Sequence, residues 1–240
     1  MNRYEKAKKG ADSMSIEPIT LTLPGEQDYF IREAYKSLRT NIQFCGKDIK
    51  VIAITSVVEN EGKSTISLHL GKSFAELGKK VLVIDADMRK SVIAGRNTSA
   101  DMPCGLSELL TGLKDRSECF YRVKDLDMQV VFAGTYPPNP VELLNSSSFS
   151  ELIDACRADF DYVIIDCPPL GIVIDAAVVA TQCDGAILVM CSNKVHYKQA
   201  REVIGQIEKS GAKFLGVVRN HKGKAPKPGR KYREVQPREA

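Results

Sequence analysis

The chain has 240 residues, 43 % of them hydrophobic and 27 % charged, with a formal net charge of +4. These are ordinary values for a folded protein with one large core, and they exclude a disordered or low-complexity chain. No apolar run reaches the roughly 18 residues that a membrane-spanning helix needs; nor does the charge call for nucleic acid, because seven basic residues (Lys222, Lys224, Lys227, Arg230, Lys231, Arg233 and Arg238) crowd a solvated C-terminal stretch.

The opening segment "MNRYEKAKKGADSMSIEP" is basic but has no apolar core followed by small residues, so no secretory signal is read and a cytoplasmic protein is expected. "YFIREAYKSLRTNIQF" follows and predicts a helix with Ile31, Ala34, Tyr35, Leu38 and Ile42 on one face. Glu33, Lys36 and Arg39 recur every third position on its flank, which fits either a solvated surface or a charged interface. Apolar, β-branched runs then appear at 51–56, 81–87, 128–133, 162–166, 185–190 and 214–218. They lack polar alternation, as strands covered on both faces do. Helical patterns run from Ser64 to Leu77 before Gly78, and from Val195 to Lys209 before Gly211. Strand and helix alternate without repeat or linker, so the expected fold is α/β, a doubly wound and mostly parallel sheet. The 7 cysteines are odd in number and never spaced C-x-x-C, which reads as reduced thiols.

Residues 56–65, "SVVENEGKST", follow the first strand and open a helix, the context of a phosphate-binding loop. Backbone N–H groups and the positive helix end would surround phosphates. Gly62 allows close approach, Lys63 reaches the β- and γ-phosphates, Ser64 holds Mg²⁺ by its hydroxyl, and Thr65 packs or caps. A bare turn before a helix would explain these four residues alone. Asp85 and Asp87 at the end of one strand and Asp166 at the end of another make the nucleotide reading stronger, since ligands sit at the carboxyl ends of such strands. On a regular strand Asp85 and Asp87 would face one side and repel unless a cation lay between them. One would bind the metal and the other accept a proton.

The segments "TSVVENEGKST", "VLVIDADMRK", "GLSELLTG", "AGTYPPNPVELLNS", "FDYVIIDCPPL" and "LGVVRN" occur in the order found in bacterial tyrosine kinases of capsule and exopolysaccharide synthesis. The chain resembles the Gram-positive type, in which the kinase is a separate cytoplasmic chain. The resemblance implies a phosphate-loop NTPase fold of the MinD-like type over residues 28–220, an N-terminal extension at 1–27 and a flexible basic tail at 221–240. It implies ATP and Mg²⁺ as cofactors, bound by Asn60, Glu61, Gly62, Lys63, Ser64, Thr65 and Asn220, with Ser64, Asp85 and Asp166 at the metal. Lys63, Asp85, Asp87 and Asp166 would be catalytic, with Asp87 orienting or deprotonating tyrosine. Glu33, Lys36 and Arg39 match the interface stripe of a homo-oligomeric ring, and Tyr232 is the tail's candidate phosphoacceptor. A membrane-bound activator related to polysaccharide co-polymerases would bring the chain to the inner face of the plasma membrane, and a tyrosine phosphatase would oppose it.

Three features depart from the family. Glu59-Asn60 replaces Pro-Gly, Lys36 replaces an arginine, and Tyr232 stands where the family carries a tyrosine cluster. Asparagine tolerates a left-handed backbone, so the loop shape should survive, while Glu59 would weaken ATP binding if its side chain pointed inward. The altered loop and scarce tyrosines leave a second reading open, a MinD-like assembly switch or regulatory ATPase without kinase activity.

Overall fold

The computed structural model describes residues 17–97, 104–192 and 195–220. Tyr232 and the expected tail at 221–240 lie outside these described residues, as do residues 1–16 of the expected extension. Seven strands form one sheet in the order β3-β4-β2-β5-β1-β6-β7. They are β1 (Val51–Ser56), β2 (Val81–Asp85), β3 (Tyr121–Arg122), β4 (Met128–Val131), β5 (Tyr162–Asp166), β6 (Gly185–Cys191) and β7 (Lys213–Asn220). All neighbours pair in parallel except β3 with β4.

The uninterrupted apolar runs work as the sequence suggests, because alternate residues face different layers. In β1, Val51 and Ala53 join one core cluster while Ile52 and Ile54 join the other, and Leu82 with Ile84 oppose Val81 with Val83 in β2 in the same way. One face is covered by α1 (Tyr29–Phe44) and α2 (Lys63–Ala75), the latter through Ile66, Leu70 and Phe74. Phe74 is fully buried and stacks on Tyr162 at 3.8 Å between centroids. Truncating such a side chain to alanine costs about 3–5 kcal/mol. Between β2 and β4 lie three short helices, α3 (Ile93–Asn97), α4 (Leu106–Thr111) and α5 (Arg116–Cys119); α6 (Pro140–Leu144), α7 (Ser147–Asp159), α8 (Asp175–Ala180) and α9 (Tyr197–Lys209) complete the chain. Residues from α4, α7, α8 and α9 cover the second face.

The helix α1 starts where Asp28 caps it, its Oδ1 accepting from the Phe30 and Ile31 amides. Ile42 is buried in its apolar face, but Ala34 is exposed. Several boundaries differ from the sequence reading. α2 takes in Lys63 and ends at Ala75; α9 begins at Tyr197; β2 stops at Asp85 and β4 at Val131. The two-residue edge strand β3 and the 13-residue α7 were not expected. Tyr35, expected on the apolar face of α1, stacks on His69. Among the described residues, no helix is long and apolar enough to cross a membrane.

Candidate active site

The loop between β1 and α2 is shaped from inside by a carboxylate. Glu61 is fully buried, and its Oε2 accepts from the amides of Val57 (3.1 Å) and Val58 (3.2 Å). Its Oε1 accepts from the Cys191 amide at 2.8 Å, joining the loop to the end of β6. The Glu61 side chain is thus occupied by backbone donors, and it is absent from the cleft that Asn60, Gly62, Lys63, Ser64 and Thr65 line. Asn220, at the end of β7, donates its Nδ2 to the Glu61 carbonyl at 2.8 Å. A Cβ on Gly62, whose φ is 93°, would collide with that amide. Asn220 therefore braces the loop.

The Glu59-Asn60 pair leaves the loop intact. Asn60 takes φ 58°, the left-handed conformation that asparagine tolerates. Glu59 forms an ion pair with Lys90 at 2.6 Å, both side chains largely in solvent. The Lys90 hydrogen bond and charge hold the Glu59 carboxyl below its usual range, and the pair balances the negative charge beside the cleft.

Beneath the loop, β2 and β5 set Asp85 beside Asp166 in register. Both are buried to within about a hundredth of their surface. Asp85 Oδ2 accepts from Ser91 Oγ at 2.5 Å and its Oδ1 from the Asp87 amide at 3.1 Å. Asp166 Oδ1 accepts from Ser67 Oγ at 3.2 Å, and Ser64 supplies a further hydroxyl hydrogen bond. Burial, followed by repulsion from Asp166, pushes the Asp85 carboxyl well above its ordinary value. Burial also pushes Asp166 up to about 6, although the Lys63 charge and the Ser64 and Ser67 hydroxyls draw it down. β2 ends at Asp85, so strand pleating is not what relates Asp85 to Asp87, although the Asp87 charge stays near enough to push both Asp85 and Asp166 up. The Asp87 amide folds back onto the Asp85 carboxylate instead.

These residues fit a magnesium ion. Asp166 Oδ2 is buried without a hydrogen-bond partner, and a cation would relieve the repulsion between the neighbouring carboxylates. Among the described residues no cluster of three or more histidine, cysteine or acidic side chains forms a closed metal cage. Mg²⁺ keeps waters and takes one or two carboxylates with substrate phosphates. Cys167, next to Asp166, is packed in the core with its thiol on the Ile165 carbonyl.

Asp87, Arg89 and Lys90 line the cleft together with the loop and with Pro168, Pro169 and Ile172. The Asp87 Oδ1 accepts from the amides of Arg89 (3.3 Å) and Lys90 (3.0 Å). Arg89 pairs with Asp175, Nε to Oδ2 at 2.8 Å and NH2 to Oδ1 at 3.1 Å. Sequence reasoning passed over this pair. Arg89 had a local signal, two residues beyond Asp87, but Asp175 is 86 positions away and nothing around it marks a partner.

The charged stripe on α1 divides. Lys36 donates to Glu33 at 2.7 Å in a surface pair. Arg39 turns toward α2, where NH1 donates to the Ser73 carbonyl at 2.5 Å and to Ser73 Oγ at 3.3 Å, and its Nε is buried without a partner.

A glycine-lysine-serine loop between a parallel strand and a helix, with aspartates at neighbouring strand ends, defines a phosphate-loop nucleotide-binding protein of the α/β class. The family model described as an AAA domain matches residues 49–210. The tyrosine-protein kinase CpsD of Streptococcus agalactiae is 43 % identical over 188 residues, 78 % of this chain and 82 % of that protein. The tyrosine-protein kinase YwqD of Bacillus subtilis is 36 % identical over 194 residues, 79 % of this chain and 81 % of that one. The kinase domain of the Escherichia coli tyrosine kinase Etk superposes with a TM-score of 0.78 at 25 % identity, covering 97 % of this chain and 93 % of that one. The chain belongs to the bacterial tyrosine-protein kinases.

Proposed function

We propose that the chain transfers the γ-phosphoryl group of ATP to tyrosine on neighbouring copies of itself and so regulates capsular or exopolysaccharide synthesis with a membrane-bound activator. The observation that carries this reading is the convergence of Lys63, Ser64, Asp85 and Asp166 beneath the loop, with Asp87 open to the cleft. Loop amides and Lys63 hold the phosphates in line with the incoming phenol. Asp87 accepts the phenolic proton as the tyrosine oxygen bonds to phosphorus and ADP departs. Ser64, Asp85 and Asp166 would hold Mg²⁺, which would supply positive charge to the phosphates.

Tyr232 is the proposed acceptor in the tail, and a tyrosine phosphatase would reverse the modification. Glu33 and Lys36 present the interface to the next subunit, with Arg39 anchoring α1 behind them. The activator's cytosolic segment would bring the chain to the inner face of the membrane. In light scattering, Glu33→Ala with Lys36→Ala should shift a ring toward monomer; an unchanged mass would remove this interface from the reading.

The test incubates purified chain with Mg-ATP and the activator's cytosolic segment and maps phosphotyrosine by mass spectrometry. Wild type should gain phosphotyrosine and Lys63→Met should gain none. ADP release without phosphotyrosine on any tyrosine would instead support a nucleotide-operated assembly switch.

A further inference from the structure

We propose that Asp175 is a positioning residue for this reaction, fixing through Arg89 the turn that carries Asp87. The inference rests on the kinase reading above. Inside the turn that follows β2, the bonds run from carboxylate to nearby donors. Asp85 accepts from the Asp87 amide and the Ser91 hydroxyl, and Asp87 accepts from the Arg89 and Lys90 amides. These bonds hang the two ends of the turn on Asp85 in β2, and the Ala86 amide donates to the Asp166 carbonyl at 2.8 Å, but none of them reaches from Arg89 or Lys90 at the middle of the turn to the rest of the site.

Two ion pairs reach out of the turn. Lys90 to Glu59 is exposed on both sides, and solvent screens such a pair. Arg89 to Asp175 differs in kind, because the Asp175 carboxylate has no exposed surface and is met by both arms of the guanidinium fork. A buried carboxylate is costly without its partner, so the folded chain keeps Arg89 in place, and a two-point pair fixes direction as well as distance. Asp175 follows the loop that leaves β5 just after Asp166. The pair therefore ties the turn holding the proton acceptor to the segment holding the metal carboxylate. Arg89 in turn donates its backbone N–H to the Asp87 carboxylate, so a shift of the guanidinium is passed to the base. Proton transfer depends on donor and acceptor lying within hydrogen-bond reach, and small displacements are expensive in rate.

The full chain with Mg-ATP provides the test, read as phosphotyrosine turnover, affinity for a fluorescent ADP and thermal unfolding. Asp175→Asn, outside the cleft lining, should lower kcat about 100-fold while KM for ATP and ADP affinity stay within about twofold, and Arg89→Gln should lower kcat by a similar factor. Arg89→Lys should fail to restore the rate, since lysine lacks the fork. In an Asp87→Asn background, adding Asp175→Asn should slow residual phosphorylation no further. Full kcat in either single variant overturns the assignment, as does a parallel loss of ADP affinity in Asp175→Asn or a double variant with Asp87→Asn slowed by the same factor as the single. The double change Asp175→Asn with Arg89→Gln leaves no buried charge unpaired and carries the same comparison if a single variant does not fold. A wild-type chain that forms no phosphotyrosine overturns the kinase reading and this inference with it; an active wild type with a fully active Asp175→Asn overturns the inference alone.

Discussion

At the amino ends of the strands, Asp184 sits just before β6 with its carboxylate fully employed: Oδ2 accepts from the Lys50 and Val51 amides, and Arg157 donates to both oxygens. Asp161 does similar work just before β5, accepting from the Lys80 amide at 2.8 Å. At the carboxyl ends, Asp85 and Asp166 lie side by side and buried, and one Asp166 oxygen has no partner at all. The pKa shifts diverge accordingly. Although burial opposes it, backbone amides and Arg157 hold Asp184 below the ordinary carboxylate range, while Asp85 and Asp166 are pushed above it. The same side chain secures the fold at one end and is crowded and short of partners at the other. Strain confined to the ligand end of an otherwise satisfied sheet is what a binding site requires of its scaffold.

One substitution applied to both ends should break or confirm this contrast. Asp184→Asn turns an accepting oxygen into a donor facing backbone N–H groups, and it should destabilise the chain by about 2 kcal/mol. Asp85→Asn removes the crowded charge, and its amide can still donate to Ser91 Oγ and accept from the Asp87 amide. Without Mg²⁺ it should stabilise the chain while phosphorylation is lost. Denaturant unfolding checks both signs, and equal destabilisation by the two changes would dissolve the contrast.

The sequence revealed most of the scaffold because parallel strands buried on both faces are written as continuous apolar runs; β1 and β5 match to the residue. The phosphate loop was legible for a related reason, since its glycine, lysine and serine act through local backbone. The remainder was hidden by distance along the chain. Glu61 looks like a loop residue facing phosphate, but its conformation is set by the Cys191 amide 130 positions away. Arg39 falls on a charged stripe by periodicity, yet it reaches Ser73 on α2. The two-residue β3 is too short for alternation to register. Asn60 was the exception, because the left-handed turn it makes is a property of the residue type.

The acidic end should also show its character through pH. Asp166 is raised from the ordinary 3.8 to about 6. Its contribution to stability is therefore complete below the unfolded value and is lost as pH rises through about 6. At neutral pH the Mg²⁺-free chain carries the ionised group at a cost, and the cation offsets it. The rise in Tm on adding Mg-ADP should accordingly be larger at pH 7.5 than at pH 5.5, because the proton competes with the metal at the lower value. An identical rise at both would show that Asp166 lies outside the metal site.

The smallest expected effect belongs to the loop's departure from its family. Restoring Pro-Gly by Glu59→Pro with Asn60→Gly removes the Lys90 ion pair and a left-handed asparagine together. The ion pair is exposed on both sides, and glycine adopts the Asn60 conformation without strain. Glu61 continues to hold the Val57, Val58 and Cys191 amides in the altered loop, so its shape does not depend on residues 59 and 60. ADP affinity in the double variant should change by no more than about threefold, with the larger part appearing at low salt where the Glu59 charge is least screened. A tenfold gain that persists at high salt would show that Glu59 reaches the phosphates and that its pairing with Lys90 fails to neutralise it.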